Sequence, residues 1–467
     1  MASVTAAGAS TTETSKFLAA NADARDQFGE AVDVSRNIIV VGAVGDDDTG
    51  VDYGAAYLFD ITTGMQAGKL FPSEPVDSRF GFSVAINSTH ALVGAPFDGD
   101  NGAAYLFDLT TGHQTAKLLP GDGTPPQRGS SGDQFGFSVA LDEGRAIVGA
   151  PRNNFGTGAA YLFDIASGQE IGKLVSENPA VDFFGWSVGV SGDSAIVGAE
   201  RSESAFLFDT TTGQQYAELI PEDKAFEDGF GSSVAILGST AIVGAPLGNA
   251  GGDAGGNAGA AYLFDTSTGM QISKLIPHDL EGDDRFGNAV AISEIGVVVG
   301  AYLEDENGLG SGSAYLFDYS SGEQVAKFVA SDGAMSDRFG SSVGISEIGA
   351  VVGAPGNRDS GENSGSAYFF ELAAAATAGD YDGSGQVEQG DLNLVLSNWG
   401  KDRGRWGGAT GFDTELVDQE ELNRVLNNWG SSNAPSFAGF DVPEPAGFAA
   451  LAGFAFCGTR RHGRAAS

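Results

Sequence analysis

Cysteine occurs once in 467 residues, at Cys457, so no internal disulfide framework holds this chain together. Histidine is almost as scarce. His90, His113, His278 and His462 are scattered, and no two stand at metal-ligand spacing. Positive charge is thin: 24 Lys and Arg face 62 Asp and Glu, a formal net charge of -38. Such a surface repels nucleic acid and anionic headgroups, and it suits a saline medium or divalent cations. The first twenty residues have neither a basic n-region nor an apolar h-region, so no recognisable signal peptide is present. No helical period runs through residues 16–371. What abounds is glycine, 71 residues, which implies many tight turns, and 42% hydrophobic residues suffice for a core.

The chain repeats itself. A Phe-Gly pair falls at Phe28, Phe80, Phe135, Phe184, Phe230, Phe286 and Phe339, 46 to 56 residues apart. In every copy a second glycine, in Gly-Ala-Pro or a variant, follows 14 residues after that Phe: Gly42, Gly94, Gly149, Gly198, Gly244, Gly300 and Gly353. Then comes YLFD or a variant, beginning at Tyr57, Tyr105, Tyr161, Phe206, Tyr262, Tyr315 and Tyr368. In the second copy, Phe82–Ile86, His90–Ala95, Ala104–Asp108 and Gln114–Leu119 read as four short strands separated by turn signals. Four strands per unit make a propeller blade, and seven blades close a ring. The last copy lacks a fourth strand, while Ser15–Ala19 precedes the first copy with the fourth-strand pattern. The N-terminal strand is therefore expected to complete the blade begun by residues 339–371 and to hide its edge.

Several repeated residues have local explanations. Glycine at the Gly-Ala-Pro site permits close approach of neighbouring sheets. The Asp that closes YLFD starts an Asx-type turn. Asp26, Asp133, Asp182, Asp228, Asp284 and Asp337, two residues before Phe, read as turn residues, with ion binding the less favoured role. The loops between Gly-Ala-Pro and YLFD vary most, and binding usually lives on such loops. Their Asp46, Asp47, Asp48, Asp98, Asp100, Glu304, Asp305 and Glu306 form either a cation-gathering set or a solvated acidic rim. Two GxSxG matches, at Ser187 and Ser342, start repeat strands rather than strand-to-helix elbows, so they read as coincidences and no catalytic constellation emerges.

These signatures resemble FG-GAP repeats, the units of the integrin α-subunit propeller and of many bacterial surface proteins. The resemblance implies a seven-bladed β-propeller with extracellular interaction roles. Integrin-type blades often carry a DxDxDG calcium loop between Phe-Gly and Gly-Ala-Pro. Here that interval holds only short turns, so the resemblance does not extend to calcium there.

Beyond residue 371 the pattern changes. Asp380, Asp382 and Ser384 stand at positions 1, 3 and 5 of an EF-hand-like loop, Gly385 at position 6, the Gln386 carbonyl at position 7 and Asp391 at position 12. That set of hard oxygens fits Ca2+. LNLVLSNWG at Leu392 returns as LNRVLNNWG at Leu422, and the twinned loops resemble dockerin type I domains, which dock onto cohesins. The second loop is degraded, with Phe412 at a ligand position and Glu415 at the turn glycine. The end of the chain resembles a PEP-CTERM sorting signal: Val442-Pro-Glu-Pro445, the apolar Ala446–Gly458 and a basic tail, which implies processing by an exosortase-type membrane enzyme. The apolar stretch is short for a bilayer about 30 Å thick.

The expected fold is all-β: a seven-bladed β-propeller closed by an N-terminal strand, then a small α-helical EF-hand/dockerin-like module and a short apolar helix. The expected segments are a disordered 1–15, the propeller at 16–371, a linker at 372–378, the calcium-binding module at 379–430, a linker at 431–441 and the sorting signal at 442–467. The expected function is a non-enzymatic binding or adhesion scaffold, exported to the cell surface or matrix and transiently membrane-anchored. Its partners would be a protein or glycan at the propeller loops and a cohesin-like protein, with no nucleic acid. The missing signal peptide suggests a start upstream of Met1. A polysaccharide-active enzyme and a purely structural matrix component are the alternatives.

Overall fold

A computed structural model describes residues 11–372 except 49–52, 75–77, 123–131, 179, 226 and 249–255. The chain divides into two compact units, Met1–Ala375 and Ala376–Ser467. Asp380, Asp382, Ser384, Gln386 and Asp391, the dockerin-like module and the sorting segment all lie outside the described residues.

The first unit is built from seven four-stranded antiparallel sheets. Blade two shows the plan: Ser83–Ile86, His90–Ala95, Ala103–Asp108 and Gln114–Leu118 pair in chain order. The two middle strands are continuous apolar runs buried on both faces, whereas the outer Gln114–Leu118 alternates, which is the pattern of a half-exposed edge. Blades one to six span Phe28–Leu70, Ser83–Leu118, Ser138–Leu174, Phe184–Leu219, Ser233–Leu275 and Val290–Phe328. The seventh takes Ser342–Ile345, Gly349–Ala354 and Ser366–Glu371 from the end of the unit and Ser15–Phe17 from its start. Ser15 pairs with Phe369, Lys16 with Tyr368 and Phe17 with Ala367, so the predicted closure is present.

Each blade seals its neighbour. Between blades one and two, Val40, Ala56, Leu58 and Leu70 pack on Phe80, Val93, Tyr105 and Phe107. The Phe of Phe-Gly lies edge-on to both aromatics of YLF: Phe80 sits 5.5 Å from Tyr105 and 5.9 Å from Phe107 between ring centroids. Phe17, Val351, Ala367 and Phe369 of blade seven join Phe28, Val32 and Tyr57 of blade one in one cluster, which closes the ring.

The two glycines of the repeat meet across this interface. A Cβ on Gly244 of blade five would lie 2.0 Å from the carbonyl oxygen of Gly287, the Phe-Gly glycine of the next blade. Gly287 itself has φ +93°, and its Cβ would fall 2.2 Å from the Ala260 carbonyl. The same pairing joins Gly42 to Gly81, Gly94 to Gly136, Gly149 to Gly185, Gly198 to Gly231, Gly300 to Gly340 and Gly353 to Gly29. The repeat signature is thus an inter-blade contact: backbone meets backbone where no side chain fits.

Phe-Gly begins the innermost strand and Gly-Ala-Pro ends the next, so both emerge on one face with the long variable loops. The opposite face carries the tight turns. There Asp60, Asp108, Asp164, Asp209, Asp265 and Asp318 each accept a backbone N–H two or three residues ahead, as Asx turns require. Hydrogen bonds from Thr211 and Thr212 hold the Asp209 carboxyl down at about 2.

Candidate functional site

The Gly-Ala-Pro face carries one polar cluster in six of the seven blades. Strand register sets the YLFD tyrosine opposite a lysine of the fourth strand: Tyr57 with Lys69, Tyr105 with Lys117, Tyr161 with Lys173, Tyr262 with Lys274, Tyr315 with Lys327, and Tyr368 with Lys16. Each ammonium lies over its ring, 5.1 to 5.5 Å from the centroid. Loop carboxylates complete the cluster. Lys69 reaches Asp46 at 2.9 Å and Asp48 at 2.7 Å, and Lys117 reaches Asp98 at 3.0 Å. Lys173 reaches Asp122 at 2.7 Å and Lys274 reaches Asp223 at 2.6 Å. Lys327 holds Asp279, Glu304 and Glu306 at 2.6, 3.0 and 2.9 Å, while Lys16 pairs with Asp332 and Asp359. Burial works against the Lys69 charge, but Asp48 and Asp46 overcome it and hold the ammonium above its ordinary pKa.

The acidic loop residues are therefore brought together, and the cation among them is the protein's own lysine. Asp46, Asp48, Asp98, Glu304 and Glu306 all serve in this way. Asp305 instead accepts the Gly310 N–H at 2.7 Å, and Asp47 and Asp100 are exposed. The tightest carboxylate group, Asp279, Glu304 and Glu306, has oxygens within 4.8 Å of one another. Replacing its lysine (Lys327→Met) should lower stability by about 2 kcal/mol, since Glu304 is nearly buried and loses its counter-charge. Millimolar calcium should then raise the melting temperature of the propeller more in the variant than in the parent; equal calcium responses would refute the substitution of lysine for metal.

Blade four breaks the pattern. Phe206 replaces the tyrosine and, opposite it, Glu218 replaces the lysine. The Ser204 hydroxyl donates to Glu218 at 2.9 Å. Glu203 takes the left-handed conformation (φ 54°) where five other blade junctions bridge through a glycine.

The carboxyls before Phe-Gly act as turn residues in a different sense from the expected one. Asp26, Asp228, Asp284 and Asp337 are buried and accept the N–H three residues upstream, from Asp23, Ala225, Glu281 and Ala334. Asp133 is also buried and accepts from the Asn153 amide at 2.9 Å, whereas Asp182 is exposed. Burial pushes the Asp26 and Asp284 carboxyls up to about 6. An acid raised from an unfolded value of about 4 stabilises the fold below that pH, and the contribution is lost as pH rises through about 6. The melting temperature should therefore fall between pH 4 and 6.5, and by less in Asp284→Asn; an identical fall in both proteins would contradict this origin.

The innermost strands also vary from blade to blade. Their second position after Phe reads Glu30, Phe82, Phe137, Trp186, Ser232, Asn288 and Ser341, all half-buried. The residue just before Phe has positive φ in all seven copies: Gln27, Arg79, Gln134, Phe183, Gly229, Arg285 and Arg338. In blades two to four these positions and the adjoining loops form a continuous row of rings. Centroids separate by 6.4 Å from Phe97 to Phe82, 5.0 Å to Phe137, 4.6 Å to Trp186 and 6.0 Å to Phe183. The Arg79 guanidinium lies 5.0 Å from the Phe97 centroid at one end. Arg201 and Arg152 lie 4.8 and 5.9 Å from that of Phe183 at the other. Deeper in blade one, Asp33 stands where the other blades have Ala or Gly; its carboxylate accepts from Val34 and Ile86, and burial raises it to about 6.

The serines of the two GxSxG matches do structural work. The Ser187 hydroxyl donates to the Gly231 carbonyl and that of Ser342 to Gly29, each at 2.8 Å. Ser83 and Ser138 make the same inter-blade bond.

No curated protein matches the chain. The family model for the FG-GAP repeat matches six times, over residues 11–59, 65–107, 113–163, 213–264, 270–317 and 323–370. Each match runs from a fourth strand through the first three strands of the next blade, and the stretch passed over, residues 164–212, holds the divergent Phe206. With more than half of its length matched and seven blades in a ring, this chain belongs to the FG-GAP repeat family.

Proposed function

We propose that the protein is an exported, non-enzymatic scaffold of the cell surface or matrix, whose propeller presents its Gly-Ala-Pro face to a ligand. The observation that carries this reading is a contrast on that face. The recurring tyrosines, lysines and loop carboxylates are consumed in internal clusters, whereas the residues around Phe-Gly at the innermost strands vary from blade to blade. A fixed frame with variable positions at one end suits recognition. The GxSxG hydroxyls bond to neighbouring blades, which argues against a hydrolase built on them.

In this reading Asp380, Asp382, Ser384, Gln386 and Asp391 bind one Ca2+ in a dockerin-like module that docks to a cohesin-like partner, and residues 442–467 direct sorting by an exosortase-type enzyme. Calorimetric titration of the full chain with calcium should show a binding event that Asp380→Ala with Asp391→Ala removes; an unchanged isotherm would eliminate the calcium loop. Expression in a host with the sorting system should place the chain at the surface, and deleting residues 442–467 should abolish that placement.

A further inference from the structure

The ring row of blades two to four is a ligand site, and we infer that it takes a mostly neutral glycan carrying occasional carboxylates. The inference rests on the proposed scaffold role and names the ligand class of its face. Phe82, Phe137 and Trp186 are half-buried aromatics in contact at the axial end of the propeller, where the other blades have Glu30, Ser232, Asn288 and Ser341. Half-buried ring faces are apolar platforms for the C–H faces of sugars. Arginines stack on the rings at both ends, so the guanidiniums are held in place before a ligand arrives. Arg79 and Arg201 enter no ion pair among the described residues, in a chain whose formal charge is -38. Such forks match carboxylates bidentately.

Two features narrow the class. A peptide adding as a strand needs free backbone donors, yet the N–H groups of Phe82, Phe137 and Trp186 already donate to the Arg79, Gln134 and Phe183 carbonyls. Dense polyanions are disfavoured by the overall charge and by Glu30, which lies at the same level with Arg79 and Arg338 as its nearest cations. Sparse carboxylates between neutral sugars satisfy both the rings and the two cationic ends.

The test is calorimetry of the full chain at physiological ionic strength with three probes: a neutral xylo-oligosaccharide, the same oligomer bearing glucuronate side groups, and polyglucuronate of equal length. The glucuronate-bearing oligomer should bind tightest, about tenfold or more above the neutral one. Phe137→Ser with Trp186→Ser, which installs the residue found at Ser232 and Ser341, should weaken both by a similar factor. Arg79→Gln with Arg201→Gln, two exposed changes, should erase the preference for glucuronate while leaving the melting temperature unchanged. Absence of binding, tighter binding of polyglucuronate, or binding untouched by the arginine pair would overturn the inference. Any of these with surface placement intact would leave the scaffold reading standing; failed surface placement with the expected binding would overturn only the latter.

Discussion

Alanine at Gly287 is expected to destabilise the propeller by about 4 kcal/mol. Two effects add. The residue sits at φ +93°, where an L side chain costs about 1–2 kcal/mol, and its Cβ would stand 2.2 Å from the Ala260 carbonyl, an overlap that costs about 1–3 kcal/mol to relieve. The obstructing atom is backbone of the neighbouring blade, so no side chain can swing aside. Gly213 provides the control, since φ is +69° but nothing lies within 4 Å of its Cβ. Gly213→Ala should cost only about 1 kcal/mol. Urea midpoints of the two variants measure the difference, and equal costs would show that inter-blade contact is not what the repeat glycine serves.

Removing residues 1–19 should drive the chain into larger assemblies than the parent forms. The deletion strips Ser15–Phe17 from blade seven and leaves Ser366–Glu371 as an unpaired edge. Phe17 is 1% exposed and packs 5.0 Å from Phe59, so its loss alone is worth about 4 kcal/mol. Asp332, Asp359 and Tyr368 lose the Lys16 ammonium as well. An open edge recruits strands from other copies. Size-exclusion chromatography should show the larger species, and a synthetic peptide of residues 11–20 added in excess should return the parent's elution position by filling the gap. A truncated chain that elutes like the parent with an unchanged melting temperature would show that closure is dispensable.

The ring was legible because its determinants repeat at fixed offsets. Phe28 and its six counterparts announce a buried ring at each blade junction, and the paired glycines announce a backbone contact. The closure was legible too, because Ser15–Ala19 carries a fourth-strand pattern where no blade precedes it. The lysine clusters were missed, although a signal existed. Lys69 follows Tyr57 by twelve residues, and the offset recurs from Tyr105 to Lys117, Tyr161 to Lys173, Tyr262 to Lys274 and Tyr315 to Lys327. Blade four changes both members at once, to Phe206 and Glu218, as coupled residues do. Their carboxylate partners also keep fixed offsets: Asp46, Asp98 and Glu304 follow the Gly-Ala-Pro glycine by four residues, and Asp122, Asp223, Asp279 and Asp332 follow Lys117, Glu218, Lys274 and Lys327 by five, but the two sets belong to different loops that only the closed ring brings to one lysine. The ring row was hidden for a related reason. Phe82, Phe137 and Trp186 look like ordinary strand hydrophobics in sequence, and only the circular arrangement sets them side by side.

The pairing of Ser15–Phe17 with Ala367–Phe369 also dictates the order in which the molecule can assemble. On a ribosome the first strand is made hundreds of residues before its partner, so it stays unmatched until synthesis of the propeller is nearly complete. The six blades between can fold from contacts local in sequence, but the final latch has a very long loop to close, and such non-local pairing is slow. During that interval the nascent chain exposes the inner aromatic faces of blades one and seven, the period in which chaperones would bind it.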